Sequence, residues 1–196
     1  PDSFVSNISE MKDRFKDGNH RILCIGRQYG SGGHEVGMRL STRLNMSYYD
    51  NQIIKMACEH IGRDFSSVDA SQADSKKGWL NKTPFSLRKF AGNDELFFAQ
   101  SQMIEEMAKK GDCIFLGRCA DVVLEHADIP HVSVFIGAPF EQRVKHDMVC
   151  TGAGYDETAE KVRAMDRVRK AYYNYYTGKE WGHSASYDLC VNASRL

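Results

Sequence analysis

The segment from Ile22 to Gly37 constrains the fold of this 196-residue chain more than any other. Residues 21–26 form a continuous apolar run, typical of a strand buried on both faces of a parallel sheet. A glycine-rich loop follows over residues 27–33, and an apolar residue then recurs at every fourth position, as on one helix face. Strand, glycine loop and helix in this order predict a phosphate cradle; the alternative is a tight turn without a ligand.

The rest of the chain alternates between strand and helix patterns. Apolar runs predict further strands over residues 47–50, 113–116, 131–136 and 187–192. Helical periodicity predicts helices over residues 4–16, 93–110, 139–151 and 155–176, with a further helix around Ile53 to Ile61. Residues 63–92 are polar and weakly patterned, which indicates an insertion within one domain. The alternation favours a doubly wound α/β fold with a parallel sheet.

Composition narrows the classes of partner. Hydrophobic residues make up 42% of the chain, and 26 basic residues balance 26 acidic ones, which argues against nucleic-acid or acidic-membrane binding. No run approaches the roughly 20 apolar residues of a membrane span, and the N-terminus lacks a signal-peptide pattern. Six cysteines without a CxxC pair predict buried free thiols rather than a metal or disulfide framework. We therefore expect a cytoplasmic protein without a metal site built from its own residues.

The glycine loop departs from the strict phosphate-binding motifs. Neither GxxxxGK[ST] nor GxGxxG occurs around it. If Gly30 and its neighbours stand where a P-loop turn stands, Gly33 takes the place of the lysine that neutralises the transferred phosphate. Arg27, at the strand end, is the nearest candidate to supply that charge. The alternative is that Arg27 is a surface residue paired with a local carboxylate.

The first helical turn after the loop holds two ambiguous polar residues. His34 is more typical of a helix start than of a catalytic base. Glu35 lies where a magnesium-binding hydroxyl usually lies, and an acid there favours the helix dipole. The same carboxylate would repel a phosphate unless a magnesium ion lay between them.

Two later segments carry basic residues toward the same edge of the sheet. Arg118 directly follows the strand predicted over residues 113–116, and ligands bind at the carboxyl edge in open α/β folds. An arginine there can grip a phosphate through two hydrogen bonds. From Lys161 to Trp181 the chain has six basic residues against two acids, as a lid closing over phosphates requires. The alternative for this run is a solvated helix face.

Several motifs together resemble one known family. Residues 25–37 resemble the phosphate loop of the cytidylate kinase-like family of P-loop proteins. Similar motifs follow in the family's order, over residues 48–54, 115–121, 165–173, 177–182 and 187–192. The resemblance extends over residues 21–196. It implies a three-layer P-loop NTPase-like α/β fold with a parallel sheet, a helical monophosphate-binding insertion at about 50–95 and a basic lid at about 143–182. The amphipathic pattern adds an N-terminal helical segment, residues 1–20, before this domain.

The resemblance also implies an activity and its residues. Cytidylate kinases move the terminal phosphoryl group of ATP to CMP or dCMP with Mg²⁺, so a nucleoside triphosphate donor and a nucleoside monophosphate acceptor are expected. The residues implied for the donor phosphates are Gly30, Ser31, Gly32 and Gly33, with His34 and Glu35 in the same segment. Those implied for the acceptor are Asp50, Asn51, Arg118, Arg163 and Arg167. Those implied for catalysis are Arg118, Asp166 and Arg169, to which Arg27 is added as the candidate for the missing lysine charge.

Two other functions remain open at this point. The missing lysine favours a module that binds a nucleotide as a sensor without transferring phosphate. The pairing of Asp166 with Arg169 in a basic segment favours the transferase. Binding of RNA or DNA is weakened by the zero net charge. The sequence leaves the oligomeric state and the acceptor base undetermined.

Overall fold

The computed structural model describes residues 13–15, 18–64 and 94–195, and within these ranges strands and helices alternate. The strands are β1 (Ile22–Arg27), β2 (Ser47–Tyr49), β3 (Cys113–Leu116), β4 (Val132–Gly137) and β5 (Leu189–Asn192). The helices are α1 (Gly33–Leu44), α2 (Gln52–His60), α3 (Asp94–Lys110), α4 (Ala120–His126), α5 (Phe140–Thr151) and α6 (Tyr155–Thr177). Short 3₁₀ helices, Ser184–Ser186 and Ala193–Arg195, flank β5.

The five strands form one parallel sheet in the order β2-β3-β1-β4-β5. The central strand β1 pairs with β3, where Leu23 lies opposite Ile114, and with β4, where Ile25 lies opposite Val134. After β1 the chain builds β2 and β3 on one side and then β4 and β5 on the other. This reversal opens a crevice at the carboxyl end of β1, the usual ligand position in open α/β sheets.

Alternating side chains of the strands build a core on each face of the sheet. Cys24 and Phe115 face a buried cluster that includes apolar residues of α2, α3 and α4. Ile25 and Ile114 face the opposite cluster, against which α1 packs. Continuous apolar strands are therefore buried on both sides, which is the reason their sequences show no polar alternation.

The predicted α/β organisation is confirmed, with small shifts at the element ends. The last strand begins at Leu189 rather than at residue 187, and the Asp188 side chain just before it bonds to the start of β4. The helix predicted over residues 4–16 lies outside the described residues apart from 13–15. Most of the predicted insertion, residues 65–93, lies outside them too. None of the helices in the described ranges combines the length and apolar character that a bilayer crossing needs.

Asp188 ties the start of β5 to the start of β4. Its Oδ2 accepts hydrogen bonds from the backbone N–H of Ser133 at 2.8 Å and from the Ser133 hydroxyl at 2.9 Å. Its Oδ1 lies 2.9 Å from Nη2 of Arg14. Burial alone would raise the pKa of Asp188, but the bonds from Arg14 and Ser133 outweigh burial and lower this pKa below the ordinary aspartate value.

We expect Asp188→Asn to lower the free energy of unfolding at pH 7 by about 1–3 kcal/mol, the usual effect of losing a hydrogen-bonded charge. Because the pKa is lower in the folded state, the carboxylate stabilises the fold above the unfolded-state pKa of about 3.9 and loses this effect below it. Thermal unfolding at pH 7 and at steps down to about pH 3 measures the difference in Tm. The gap between wild type and variant should narrow in acid.

The exposed Asp128 provides the matched control, since Asp128→Asn removes a carboxylate from a surface turn. Its Tm should follow that of the wild type throughout the titration. A gap between wild type and Asp188→Asn that stays constant with pH would contradict the assignment.

Candidate functional site

The glycine loop between β1 and α1 has a backbone that glycine permits. Gly30 and Gly32 have φ angles of 74° and 76°, in the left-handed region. A Cβ added at Gly30 would lie 2.6 Å from the carbonyl oxygen of Arg143, so the loop approaches α5 too closely for any other residue. The buried Ser31 donates its hydroxyl proton to the carbonyl of Gln28 at 2.8 Å. The loop ends at the N-terminus of α1, where the first backbone N–H groups of a helix have no carbonyl partner within it, and such a terminus is suited to an anion.

The side chain of Arg27 fills the space beside the lysine position. A Cβ added at Gly33 would lie 2.6 Å from the Cβ of Arg27 and 3.0 Å from its Cγ. On the other side, a Cβ added at Gly117 would overlap Nη1 of Arg27. Two glycines thus make room for one arginine. A lysine side chain at position 33 would overlap the Arg27 side chain in its present position.

Arg27 is a buried cation with one carboxylate near it. Its side chain is only 18% exposed, and its Nη2 lies 3.5 Å from Oδ1 of Asp50. Its Nη1 donates to the carbonyl of Leu116 at 3.4 Å. Burial lowers the pKa of Arg27, and although Asp50 opposes this shift, the nearby Arg118 adds to it. The residue pairs with a carboxylate, as the alternative interpretation held, but it lies inside the site rather than on the surface.

Arg118 lies in an unusual turn after β3. Gly117, Arg118 and Cys119 have consecutive φ angles of 75°, 64° and 57°, and such a conformation costs about 1–3 kcal/mol at a residue other than glycine. Gln100 of α3 holds the turn by donating to the Arg118 carbonyl at 3.1 Å. The Arg118 Nη2 in turn donates to Oδ1 of Asn51 at 2.9 Å. The structure therefore brings together two of the predicted acceptor residues, Arg118 and Asn51.

Asp50 lies between Arg27 and the start of α1. Its Oδ2 is 3.4 Å from Nδ1 of His34, which also contacts the hydroxyl of Tyr48 at 3.1 Å. Its Oδ1 is buried and accepts no hydrogen bond within the described part of the chain. An oxygen in that state fits a donor supplied by a ligand. His34 itself is exposed and orients Asp50 in this structure.

Asp166 connects the glycine loop to α5 and α6. Its Oδ1 accepts the backbone N–H of Tyr29 at 2.8 Å, and its Oδ2 lies 2.6 Å from Nη1 of Arg143. Arg143 also donates to the carbonyls of Tyr29 and Ala138. The sequence pointed to Asp166 but not to Arg143, whose position in an amphipathic helix resembles that of a surface residue. The structure shows Arg143 buried at 6% exposure.

Arg169 of α6 reaches the end of β1. Its Nη1 donates to the carbonyl of Arg27 at 3.0 Å, and its guanidinium lies 5.4 Å from the ring centroid of Tyr29. Burial lowers the pKa of Arg169 to about 9, with further lowering by Arg27 and Arg118. Arg169 therefore contacts Arg27, and the Arg27 guanidinium reaches the turn that holds Arg118, which brings the three arginines together. We call these three residues the arginine cluster.

A cavity of about 590 Å³ opens beside the glycine loop on the β4 side. Arg163 and Arg167, predicted from the lid pattern, line it together with Lys170 of the same helix. The remaining lining residues are Gln28, Phe135, Phe140, Arg143, Asp166, Trp181 and Gly182. We call this space the basic cavity. Arg163 and Arg167 therefore lie with Trp181, whereas Asn51 and Arg118 form a separate contact.

One predicted residue and two unpredicted ones complete the site. Glu35 is exposed in the first turn of α1, and a Cβ at Gly32 would lie 3.9 Å from its Oε2. Gln100, like Arg143, was not predicted. One signal for Gln100 was available, because it interrupts the apolar stripe of α3 one turn after Leu96. No comparable sequence signal marks Arg143.

Known structures share this architecture. An uncharacterised protein from Eubacterium ventriosum is 23% identical, with 89% of this chain and 92% of that chain covered and a TM-score of 0.65. A shikimate kinase from Bacteroides thetaiotaomicron is 14% identical, with 88% and 86% covered and a TM-score of 0.52. At these identities the likenesses show the fold, and the predicted P-loop kinase-like fold is confirmed.

Comparison with curated protein sequences finds no match. The model of the cytidylate kinase-like family matches residues 22–195, from the first residue of β1 to the 3₁₀ turn after β5. This match includes the glycine loop, the Arg118 turn and α6. The chain therefore belongs to the cytidylate kinase-like family.

Proposed function

We propose that this protein is an ATP-dependent phosphotransferase that moves the terminal phosphoryl group of ATP to CMP or dCMP. The observation that carries this proposal is the arginine cluster at the carboxyl edge of the sheet, beside the glycine loop. Phosphoryl transfer needs positioning and positive charge around the moving group, with little covalent chemistry from the protein. Burial lowers the pKa values of the half-buried Arg27 and Arg169, and Arg118 lowers both further, so the cluster is suited to an anion.

Arg27 takes the electrostatic part of the missing lysine in this proposal. Its stem lies beside Gly33, and its guanidinium extends past Gly117 toward the cluster. A guanidinium can donate hydrogen bonds to two oxygens of one phosphoryl group, whereas an ammonium acts on them as a point charge. The pairing with Asp50 at 3.5 Å is loose enough to give way to a phosphate.

The donor fits the glycine loop and the basic cavity. The backbone of Gly30, Gly32 and Gly33 would offer N–H groups to the β- and γ-phosphates, and the N–H of Ser31, which donates to the Gln28 carbonyl at 3.4 Å, would have to be released to join them. The cavity adjoins the loop through Gln28 and presents an indole, Trp181, with Arg163 and Arg167. An aromatic face with flanking cations suits a base and its phosphates. Its volume of about 590 Å³ lies in the range of small-molecule sites.

Magnesium would neutralise charge between the donor phosphates. It needs oxygen ligands and keeps several waters in most phosphate sites. The buried Oδ1 of Asp50, which accepts no hydrogen bond from the described residues, fits a water of a hydrated magnesium ion or a hydroxyl of the acceptor. Asp50 is therefore a suitable carboxylate for this ion, with the phosphates supplying further oxygens.

The acceptor fits the opposite side of the glycine loop. Arg118 and Asn51 lie at the ends of β3 and β2 and already contact each other at 2.9 Å. We propose that residues from about 50 to 95 form the acceptor-binding insertion and that residues from about 143 to 182 form the lid. Lys161 and Arg169 of α6 flank the Tyr29 ring, at 5.0 and 5.4 Å, which favours a lid anchored on the loop. The proposal places the reaction in the cytoplasm, with nucleotides rather than nucleic acids or membranes as partners.

A sensor that binds nucleotide without turnover is the second candidate, favoured by the glycine at position 33. Calorimetric titration with ATP and with CMP, each with Mg²⁺, followed by a transfer assay on the same sample, separates the two. The kinase proposal expects binding of both nucleotides and formation of ADP and CDP. Binding without product would support the sensor, and binding of neither would contradict both functions.

Arg118→Ala should weaken CMP binding by about 10–100-fold, because a hydrogen bond to a charged group contributes about 1.5–3 kcal/mol. The Tm should change little, since the hydrogen bond from Arg118 to Asn51 is exposed and the bond from Gln100 holds the backbone of the turn in the variant as well. Calorimetry with CMP measures the affinity. Arg43→Ala, at the far end of α1, is the control and should bind CMP like the wild type. Equal affinities for both variants would remove Arg118 from the acceptor site.

A charge-swap series tests the role of Arg27. Arg27→Gly should lower kcat by about 10²–10³-fold, as loss of one transition-state donor does. Gly33→Lys alone should destabilise the protein, because its side chain meets the Cβ and Cγ of Arg27. The double variant Arg27→Gly with Gly33→Lys removes both of these atoms and restores a cation, so its kcat should exceed that of Arg27→Gly by at least about tenfold.

Each variant of this series is also checked by thermal unfolding and by ATP calorimetry. A folded double variant that is no more active, and binds ATP no more tightly, than Arg27→Gly would show that Arg27 does not replace the lysine. Both of these variants lack the Arg27–Asp50 pair, so its loss affects them alike. The ratio of their kcat values therefore measures the effect of the lysine.

A further inference from the structure

Three metal-ligand side chains of different chemistry meet at the outer edge of the glycine loop. Glu35 projects from the first turn of α1, and His146 and Cys150 project from α5. One carboxylate oxygen, one imidazole nitrogen and the thiol sulfur all lie within 4.8 Å of one another. All three residues are exposed, so a solvated ion can reach them without opening the fold.

The spacing along α5 explains why two of these ligands converge. His146 and Cys150 are four residues apart, which places them on the same helix face, one turn above the other. Glu35 comes from a different element more than one hundred residues earlier, and the close approach of the glycine loop to α5 at Gly30 and Arg143 fixes its distance. The cluster is therefore produced by the fold rather than by one short motif.

The three side chains are available for a ligand. Within the ranges that the structure describes, no hydrogen bond or ion pair joins any of their side-chain ligand atoms to another residue. This distinguishes them from Asp147 and Lys161 nearby, which pair with each other at 3.0 Å. The predicted burial of all six thiols is also wrong here, because Cys150 is exposed.

The donor set selects a class of metal. Thiolate and imidazole favour Zn²⁺ and related divalent transition metals, whereas Mg²⁺ and Ca²⁺ take oxygen ligands. Zinc bonds of 2.0–2.3 Å in a tetrahedron separate neighbouring ligands by about 3.3–3.8 Å. Exposed side chains can close from within 4.8 Å to that separation by rotamer changes alone.

We propose that Glu35, His146 and Cys150 form a binding site for one Zn²⁺-class ion, with water completing the tetrahedron. The site is separate from the proposed magnesium of the donor, which adjoins Asp50. A bound ion links the N-terminus of α1 to α5, the two helices between which the glycine loop lies. It also neutralises Glu35, the acid next to the phosphate cradle.

Cobalt titration of the reduced, untagged protein without nucleotide tests the site. Co²⁺ bound to a thiolate gives a charge-transfer absorption, and Zn²⁺ should displace it at one equivalent. Cys150→Ser should abolish this band, while Cys190→Ser, which removes the other exposed cysteine, should retain it. His146→Ala and Glu35→Gln should each weaken binding by more than about tenfold, the effect typical even of outer-shell partners.

Thermal unfolding gives a second readout that does not depend on any activity. Zn²⁺ should raise the Tm of the wild type and of Cys190→Ser, because an ion that binds only the folded state stabilises it, and should leave Cys150→Ser unchanged. A wild type without the charge-transfer band, or a band that Cys150→Ser retains, would overturn the proposal. Failure here would leave the kinase proposal intact, since no nucleotide is present.

Discussion

The site depends on the packing of the Arg27 side chain between Gly33 and Gly117. The two glycines leave room on either side of one extended side chain, and that room puts a guanidinium where the glycine loop meets the ends of β1 and β3. The Arg27 side chain therefore has room in this position because position 33 of the loop is glycine rather than lysine. Substituting any of the three positions changes the space available to the other two.

A buried arginine next to two others requires support from the surrounding fold. Burial and mutual repulsion lower the pKa values of Arg27 and Arg169, and Asp50 offsets only part of that effect. Asp166 contributes by tying α6 to the loop through Tyr29, so that Arg169 reaches the carbonyl of Arg27. The protein therefore holds positive charge in place before a ligand arrives, which is the preorganisation that phosphoryl transfer needs.

Local pattern was enough to predict most of the scaffold. The apolar strands and the glycine turn are each encoded by a short run of neighbouring residues. A parallel sheet brings the ends of β1 and β3 together, so the positions of Arg27 and Arg118 could be predicted from the sequence. Arg143 could not, because its burial depends on how α5 packs against the glycine loop. The meeting of Glu35 with Cys150 depends on the same tertiary contact. Residues on one element were predictable, whereas contacts between distant elements were not.

The most direct test of the central claim is a crystal structure of the protein with Mg²⁺ and a non-hydrolysable ATP analogue. We expect the β- and γ-phosphates in the glycine loop, with the guanidinium of Arg27 within hydrogen-bond distance of a phosphate oxygen and Asp50 released from it or bridged to it through the ion. Phosphates bound away from the loop, or bound there while Arg27 contacts none of their oxygens, would contradict the account.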